Sequence, residues 1–222
     1  MKLLIIVFIL LAFWESTNGQ IFVEKHLEEN INHIVAFVNS ETFIELKQHN
    51  SDLALIDTLY LRGLKFNNYD YSETLLALTF VTLPFQNMPL NIPYTKITFN
   101  VKLPAGAEED ISAKIENLPK EIFIDSPKSD FGDKDKVAHF FGNAYLAHSV
   151  SIFNLSKFLS ILVELFEDAF KIKGGIDNRD LIANELGYLF GKELLNNPNA
   201  LPSESLKLYT EISENNMMQN DE

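Results

Sequence analysis

The sequence predicts a mainly α fold: a helical bundle with a C-terminal three-helix module and at most one short β segment. Apolar residues recur at helical spacing among charged residues over most of the chain. Serine or aspartate precedes several of these stretches, as helix N-caps do. Because 46% of the 222 residues are hydrophobic and 18 are Phe, the chain has enough apolar material for a good-sized core.

The N-terminus has the features of a secretory signal peptide. Lys2 precedes an apolar run of about 12 residues that ends at Trp14, and small residues follow at Thr17 and Gly19. This run is shorter than the roughly 20 residues of a membrane-spanning helix. We therefore expect residues 1–19 to be a signal peptide and the mature protein to be secreted to the periplasm or elsewhere in the cell envelope. Since the sequence has no cysteine, we expect neither a lipoprotein anchor nor disulfides.

The net charge of −13 bears on the kind of partner. An acidic protein is repelled by nucleic acid and by anionic membrane surfaces, so we expect no nucleic-acid partner. The charge is compatible with cation binding, although acidic surfaces more commonly serve solubility. Peripheral contact with a membrane stays open.

The pattern divides the chain into four parts, and each has a different character. These are the signal peptide (1–19), a helical N-terminal region (20–105), a C-terminal helical module (106–214) and an acidic tail (215–222).

The N-terminal region contains two predicted helical segments and a third segment that fits a helix or a strand. The first covers residues 21–48 and is interrupted at Asn39, where Ser40 caps a restarted helix. The second covers residues 51–66. Residues 72–85 fit either a helix, because of their leucine-rich start, or a buried strand, because of the β-branched residues that follow.

One strand is predicted, at residues 97–103, where apolar and polar residues alternate. A lone strand has no pairing partner in a helical protein. It is expected either to form a short ribbon with residues 121–124 or to lie extended on the helices.

The C-terminal module is predicted to hold three helices. They cover residues 133–153, residues 156–173 and residues 177–195, and the second one ends at a glycine pair with lysines in its last turn. A short helix beginning at Ser203 is expected to follow, with a frayed acidic end.

Five residues of the third predicted helix share one face, namely Asp177, Asp180, Asn184, Gly187 and Gly191. The glycines allow a neighbouring helix to approach closely. Asp177 also fits an N-cap with Asp180 as its capping-box partner. Asn184 has no local role in mid-helix, so a buried hydrogen bond to another helix is the simplest interpretation.

The first predicted helix presents Asp135, His139 and Asn143 on one face. His139 alternatively fits a core imidazole that donates to Asp135 or to a carbonyl group, and Asp133 fits a helix cap. On the second helix, Glu164 is the acid closest to the apolar stripe.

If these faces meet, carboxylates and one imidazole converge. Asp135, His139, Glu164 and Asp180 are ligand types suited to Mg²⁺, Mn²⁺ or Zn²⁺, so a divalent metal is a candidate cofactor. The same groups could perform acid–base chemistry. Neither reading follows from spacing alone. The sequence has no His-Glu-x-x-His, Gly-x-Ser-x-Gly, Walker or dinucleotide-binding motif, and no catalytic residue is assigned.

This pattern resembles that of the VanZ-like family and of a related group of bacterial periplasmic proteins of unknown function. The matching residues are Asp-Lys-x-x-His at 135–139, Glu164, and the Asp, Asn and Gly residues at 177–191, within a match over residues 133–192. VanZ-like proteins are integral membrane proteins linked to glycopeptide (teicoplanin) resistance. The charges of the second helix here make membrane insertion unfavourable. The resemblance implies a polar cluster and a location in the envelope.

Two functional classes follow as expectations. The first is an exported bacterial cell-envelope protein that serves as a binding or structural module for an envelope component or protein partner, with the polar cluster fixing the helix register. The alternative is a metal-assisted hydrolase or transferase that acts on an envelope lipid or glycan.

Overall fold

The computed structural model describes residues 17–91, 98–149 and 178–220. Within these ranges the chain forms eight α-helices and one antiparallel hairpin, so the predicted mainly α bundle is confirmed. The helices are α1 (Thr17–Val38), α2 (Glu41–His49), α3 (Asp52–Phe66), α4 (Tyr71–Thr82), α5 (Ile111–Asn117), α6 (Lys134–Ser149), α7 (Asn178–Glu193) and α8 (Pro202–Asn220). The strands are β1 (Asn87–Asn91) and β2 (Thr98–Lys102), and a 3₁₀ turn at Glu108–Asp110 precedes α5.

Helices α2 and α3 begin at side-chain caps. The predicted cap Ser40 accepts a hydrogen bond from the Phe43 N–H at the start of α2. Ser51 accepts from the Ala54 N–H at the start of α3. These bonds satisfy N–H groups that the first turn of a helix leaves unpaired. The predicted break between α1 and α2 and the start of α3 are therefore confirmed.

The sequence left residues 72–85 open between helix and strand. The structure shows that most of this segment is helical, as α4. Its threonine hydroxyls bond back to carbonyls of the preceding turn, with Thr79 donating to Leu75 at 2.8 Å and Thr82 donating to Leu78 at 2.8 Å. Both threonines are buried in the helix, and these bonds give each hydroxyl group a hydrogen-bond partner.

The predicted strand exists, but the pairing expected for it is wrong. β2 pairs with β1 in a local hairpin, which places Asn87 opposite Lys102 and Asn91 opposite Thr98. The backbone near 121–124 makes hydrogen bonds to other groups. The N–H groups of Lys120 and Glu121 both donate to the Asp52 carboxylate at 2.7 Å, so they are not available to a strand.

The C-terminal helix is longer than expected. Helix α8 runs to Asn220 through most of the predicted acidic tail, which was expected to fray. Its start is held firmly, because the Asp57 carboxylate of α3 accepts from the Ser203 N–H at 2.9 Å and from the Ser203 hydroxyl at 2.6 Å. A carboxylate at this position also interacts favourably with the helix dipole.

Several predictions lie outside the described residues. They are the signal sequence up to residue 16, the helix at 156–173, and the side chains of Glu164 and Asp177.

The hydrophobic core joins residues from both sides of the predicted boundary at 105–106. At its centre the ring of Phe190 from α7 stacks on Phe140 of α6, with ring centroids 5.4 Å apart, and meets Tyr60 of α3 edge-on at 5.5 Å. All three side chains are at most 1% exposed. This packing fixes α6 and α7 against the N-terminal helices.

No helix in the described ranges combines the length and the apolar character that a membrane span requires.

Candidate functional site

Helices α6 and α7 pack side by side and run in the same direction. Lys136 meets Asp180 near the start of both helices, and further along Gly187 faces Phe140 and Gly191 faces Ala144. A Cβ at Gly187 would clash with the Phe140 carbonyl group, and one at Gly191 would lie 2.9 Å from the Ala147 Cβ. The predicted close approach at both glycines is present.

A buried ion-pair cluster joins the first turns of the two helices. The Lys136 ammonium lies 3.0 Å from the Asp135 carboxylate and 2.5 Å from the Asp180 carboxylate. These residues are 4%, 8% and 2% exposed, in that order. Burial lowers the pKa of the Lys136 ammonium, but the hydrogen bonds and charges of Asp180 and Asp135 outweigh burial and hold the pKa above its ordinary value. Lys136 is therefore a buried cation that bridges two carboxylates.

One turn further along, an amide and imidazole network crosses the same interface. His139 Nδ1 lies 2.9 Å from Asn184 Oδ1, and the Asn143 amide donates to the same oxygen at 2.7 Å. The Asn143 amide also donates to the His139 carbonyl at 3.0 Å. His139 Nε2 lies 3.6 Å from Asp180 Oδ1, which links the network to the ion-pair cluster.

The imidazole of His139 is 9% exposed. Burial lowers its pKa from the ordinary value, against the opposing influence of the Asp180 charge and the Asn184 hydrogen bond. The neutral ring is therefore the form that the fold favours near neutral pH.

A third buried carboxylate, which the sequence offered only as a helix cap, lies beside the cluster. Asp133 is 0% exposed and lies 2.8 Å from the Arg179 guanidinium. It also accepts hydrogen bonds from the Phe123 N–H at 3.2 Å and from the Ser126 hydroxyl. Asp133 stands directly before α6, at the predicted cap position, and its carboxylate holds the loop before α6 and pairs with Arg179 of α7. Burial raises its pKa, opposed by the Ser126 hydrogen bond and the Arg179 charge.

The structure brings together five of the seven residues that the sequence singled out, namely Asp135, His139, Asn143, Asp180 and Asn184. Asp180 bonds to the facing helix, and the Asn184 side chain makes the interhelical contact that its position suggested. Glu164 and Asp177 cannot be placed, since they lie outside the described ranges.

Three of the four predicted metal ligands, Asp135, His139 and Asp180, lie in this cluster, and Glu164 is outside the described residues. Among the described residues, no group of three or more His, Asp or Glu side chains could hold a metal ion. The reason is visible at Lys136, whose ammonium stands where a divalent cation would have to bridge Asp135 and Asp180. These residues, as placed, do not fit a divalent metal.

No protein family model, no curated protein and no solved structure was found to match this chain. The resemblance to VanZ-like proteins therefore stays a prediction.

Proposed function

We propose that this chain is an exported protein of the bacterial cell envelope that acts as a binding or structural module without catalysing a reaction. In this proposal the cluster on α6 and α7 holds the two helices in a single register and so fixes the surface that the module offers to an envelope component. The VanZ-like pattern and the signal-like N-terminus are the reasons for the envelope location.

The observation that carries this proposal is the position of Lys136. Its ammonium compensates two buried carboxylates, one on its own helix and one on the partner helix. A buried polar group that is paired across helices specifies how they pack, since any shift in register strands a charge. The Asn143–Asn184–His139 hydrogen bonds add the same restraint one turn further along.

The runner-up is a metal-assisted hydrolase or transferase for an envelope lipid or glycan. The observation in its favour is that Asp135, Asp180 and His139 lie in one cluster. Under this alternative a bound cation would have to displace the Lys136 ammonium from at least one carboxylate. The two proposals therefore differ in what a metal does to stability.

Thermal unfolding of the chelator-treated full chain separates them. A cation that binds only the folded state stabilises it by about 2.7 kcal/mol at a hundredfold excess over its dissociation constant. We expect Mn²⁺ and Zn²⁺ to leave the melting temperature unchanged, while Asp180→Ala and His139→Ala each lower it. His49→Ala is the matched control, since His49 is exposed.

A rise of several degrees with metal, lost in His139→Ala and Asp180→Ala but kept in His49→Ala, would overturn the structural role and favour the enzyme. The envelope location has its own test. N-terminal sequencing of the protein recovered from a bacterial host should begin near Gln20, and a chain retained in the cytoplasm with Met1 intact would contradict export.

A further inference from the structure

The network around His139 determines which of its two ring nitrogens carries the hydrogen. A neutral imidazole has one N–H, either on Nδ1 or on Nε2. The groups around His139 decide between the two, beginning with its own backbone carbonyl.

The His139 carbonyl can only accept a hydrogen bond. The Asn143 side-chain atom 3.0 Å away must therefore be its NH₂ group, which fixes the orientation of this amide. The second N–H of the same group points to Asn184 at 2.7 Å, so the Asn184 atom that faces it must be the oxygen. This oxygen also lies 2.9 Å from His139 Nδ1, and an oxygen acceptor requires a donor there.

We infer that Asn143 is a positioning residue that holds His139, through Asn184, in the tautomer with hydrogen on Nδ1. The basic nitrogen of the ring is then Nε2, on the side of the Asp180 carboxylate at 3.6 Å. This conclusion goes beyond the register role and does not depend on it.

The test reads the tautomer directly. Two-bond ¹H–¹⁵N correlation spectra of the full chain, labelled with ¹⁵N-histidine, distinguish an Nδ1–H ring from an Nε2–H ring. The measurement is made at about pH 8, above the ordinary imidazole pKa of about 6.5. The chain has 5 histidines, and His139→Gln assigns the signals of His139 by their loss.

Two substitutions with the same chemistry are expected to act in opposite ways. Asn143→Asp removes the donor, so the Asn184 amide turns its NH₂ toward the new carboxylate and toward His139, and the ring should change to Nε2–H. Asn184→Asp leaves an acceptor opposite Nδ1, so the ring should remain Nδ1–H. Both positions are half-buried.

His33 serves as the internal reference. The Arg62 Nε–H donates to His33 Nε2 at 3.2 Å, and because an arginine N–H always donates, neutral His33 is also an Nδ1–H ring. Its signals should be the same in all variants. A change at His33 would reveal a general loss of structure.

The expected pattern is Nδ1–H for His139 in the wild type and in Asn184→Asp, with Nε2–H in Asn143→Asp. An Nε2–H ring in the wild type would overturn the inference at once, whether or not any variant folds. An Asn143→Asp spectrum that still shows Nδ1–H, with His33 unchanged, would remove the positioning role of Asn143. Neither result bears on the response to metals, so failure here is distinct from failure of the proposed function.

Discussion

Lys136 and Asp180 form an ion pair across two parallel helices, with the ammonium 2.5 Å from the carboxylate and both residues almost fully buried. Buried ion pairs add little net stability, because desolvation of the charges offsets their attraction. Removal of one partner is costly, since the other charge then stays buried without compensation. The pair therefore contributes more to the choice of helix packing than to net stability.

The first prediction concerns Lys136→Met. This change keeps the length of the side chain but leaves Asp135 and Asp180 buried without their shared cation. We expect the free energy of unfolding to fall by about 3–5 kcal/mol, measured by urea denaturation near neutral pH. Lys128→Met is the control, because Lys128 is exposed and its loss should change stability by less than about 0.5 kcal/mol. Equal effects of the two changes would contradict the bridging role of Lys136.

The second prediction uses two glycines of the helix pair. Alanine favours a helix over glycine by about 1 kcal/mol, so propensity alone predicts that Gly187→Ala is stabilising. A Cβ at Gly187 would instead clash with the Phe140 backbone, and we expect a net loss of about 1–3 kcal/mol.

Gly142→Ala on α6 is the matched comparison for this glycine. A Cβ there lies 3.4 Å from the Thr79 Cγ2, which is an ordinary contact, so propensity should prevail and the change should be neutral or stabilising. If thermal unfolding shows Gly187→Ala to be as stable as Gly142→Ala, the close approach of α6 and α7 is wrong.

The third prediction concerns Asn184→Leu. The leucine removes the oxygen that faces both His139 Nδ1 and the Asn143 amide, which leaves two polar groups without this partner. We expect a loss of about 1–3 kcal/mol in the free energy of unfolding. Glu185→Leu, at an exposed neighbouring position, should change stability by less than about 0.5 kcal/mol. A stable Asn184→Leu variant would show that the network contributes nothing to packing.

Local signals made much of the helical fold predictable. Ser40 and Ser51 mark helix starts in the sequence and cap those helices in the structure. The face shared by Asn184, Gly187 and Gly191 indicated close packing, since amide and glycine residues in mid-helix need a neighbour. These inferences needed only residues a few positions apart.

The partners within the site were not predictable in the same way. In the sequence, Lys136 stands next to Asp135. Its ion pair with Asp180 depends on the parallel direction and the register of the two helices, and residue spacing along one helix does not determine either. The Asp133–Arg179 pair likewise joins residues distant in sequence. The strand was located correctly, whereas its partner was not, because the N–H groups of 120 and 121 bond to Asp52.

A last prediction comes from a buried lysine that the sequence did not single out. Lys114 of α5 is 0% exposed and donates to the Leu83 carbonyl at 3.1 Å. Burial lowers its pKa from 10.5 to about 8. Below about pH 8 the lysine is charged in both the folded and the unfolded state. Desolvation of this charge then destabilises the folded state. Between the two pKa values the unfolded chain binds more protons, so stability rises with pH.

We therefore expect the free energy of unfolding of the wild type to rise relative to that of Lys114→Met as the pH increases from about 8 to 10.5. The full rise corresponds to roughly 3 kcal/mol at 1.36 kcal/mol per pKa unit. The difference between the two proteins, measured by urea denaturation at each pH, cancels the titration of groups that both share. Lys128→Met again serves as the control, because Lys128 is exposed. A difference for Lys114→Met that is equally flat would mean that Lys114 titrates normally in the fold and is not buried as a charge.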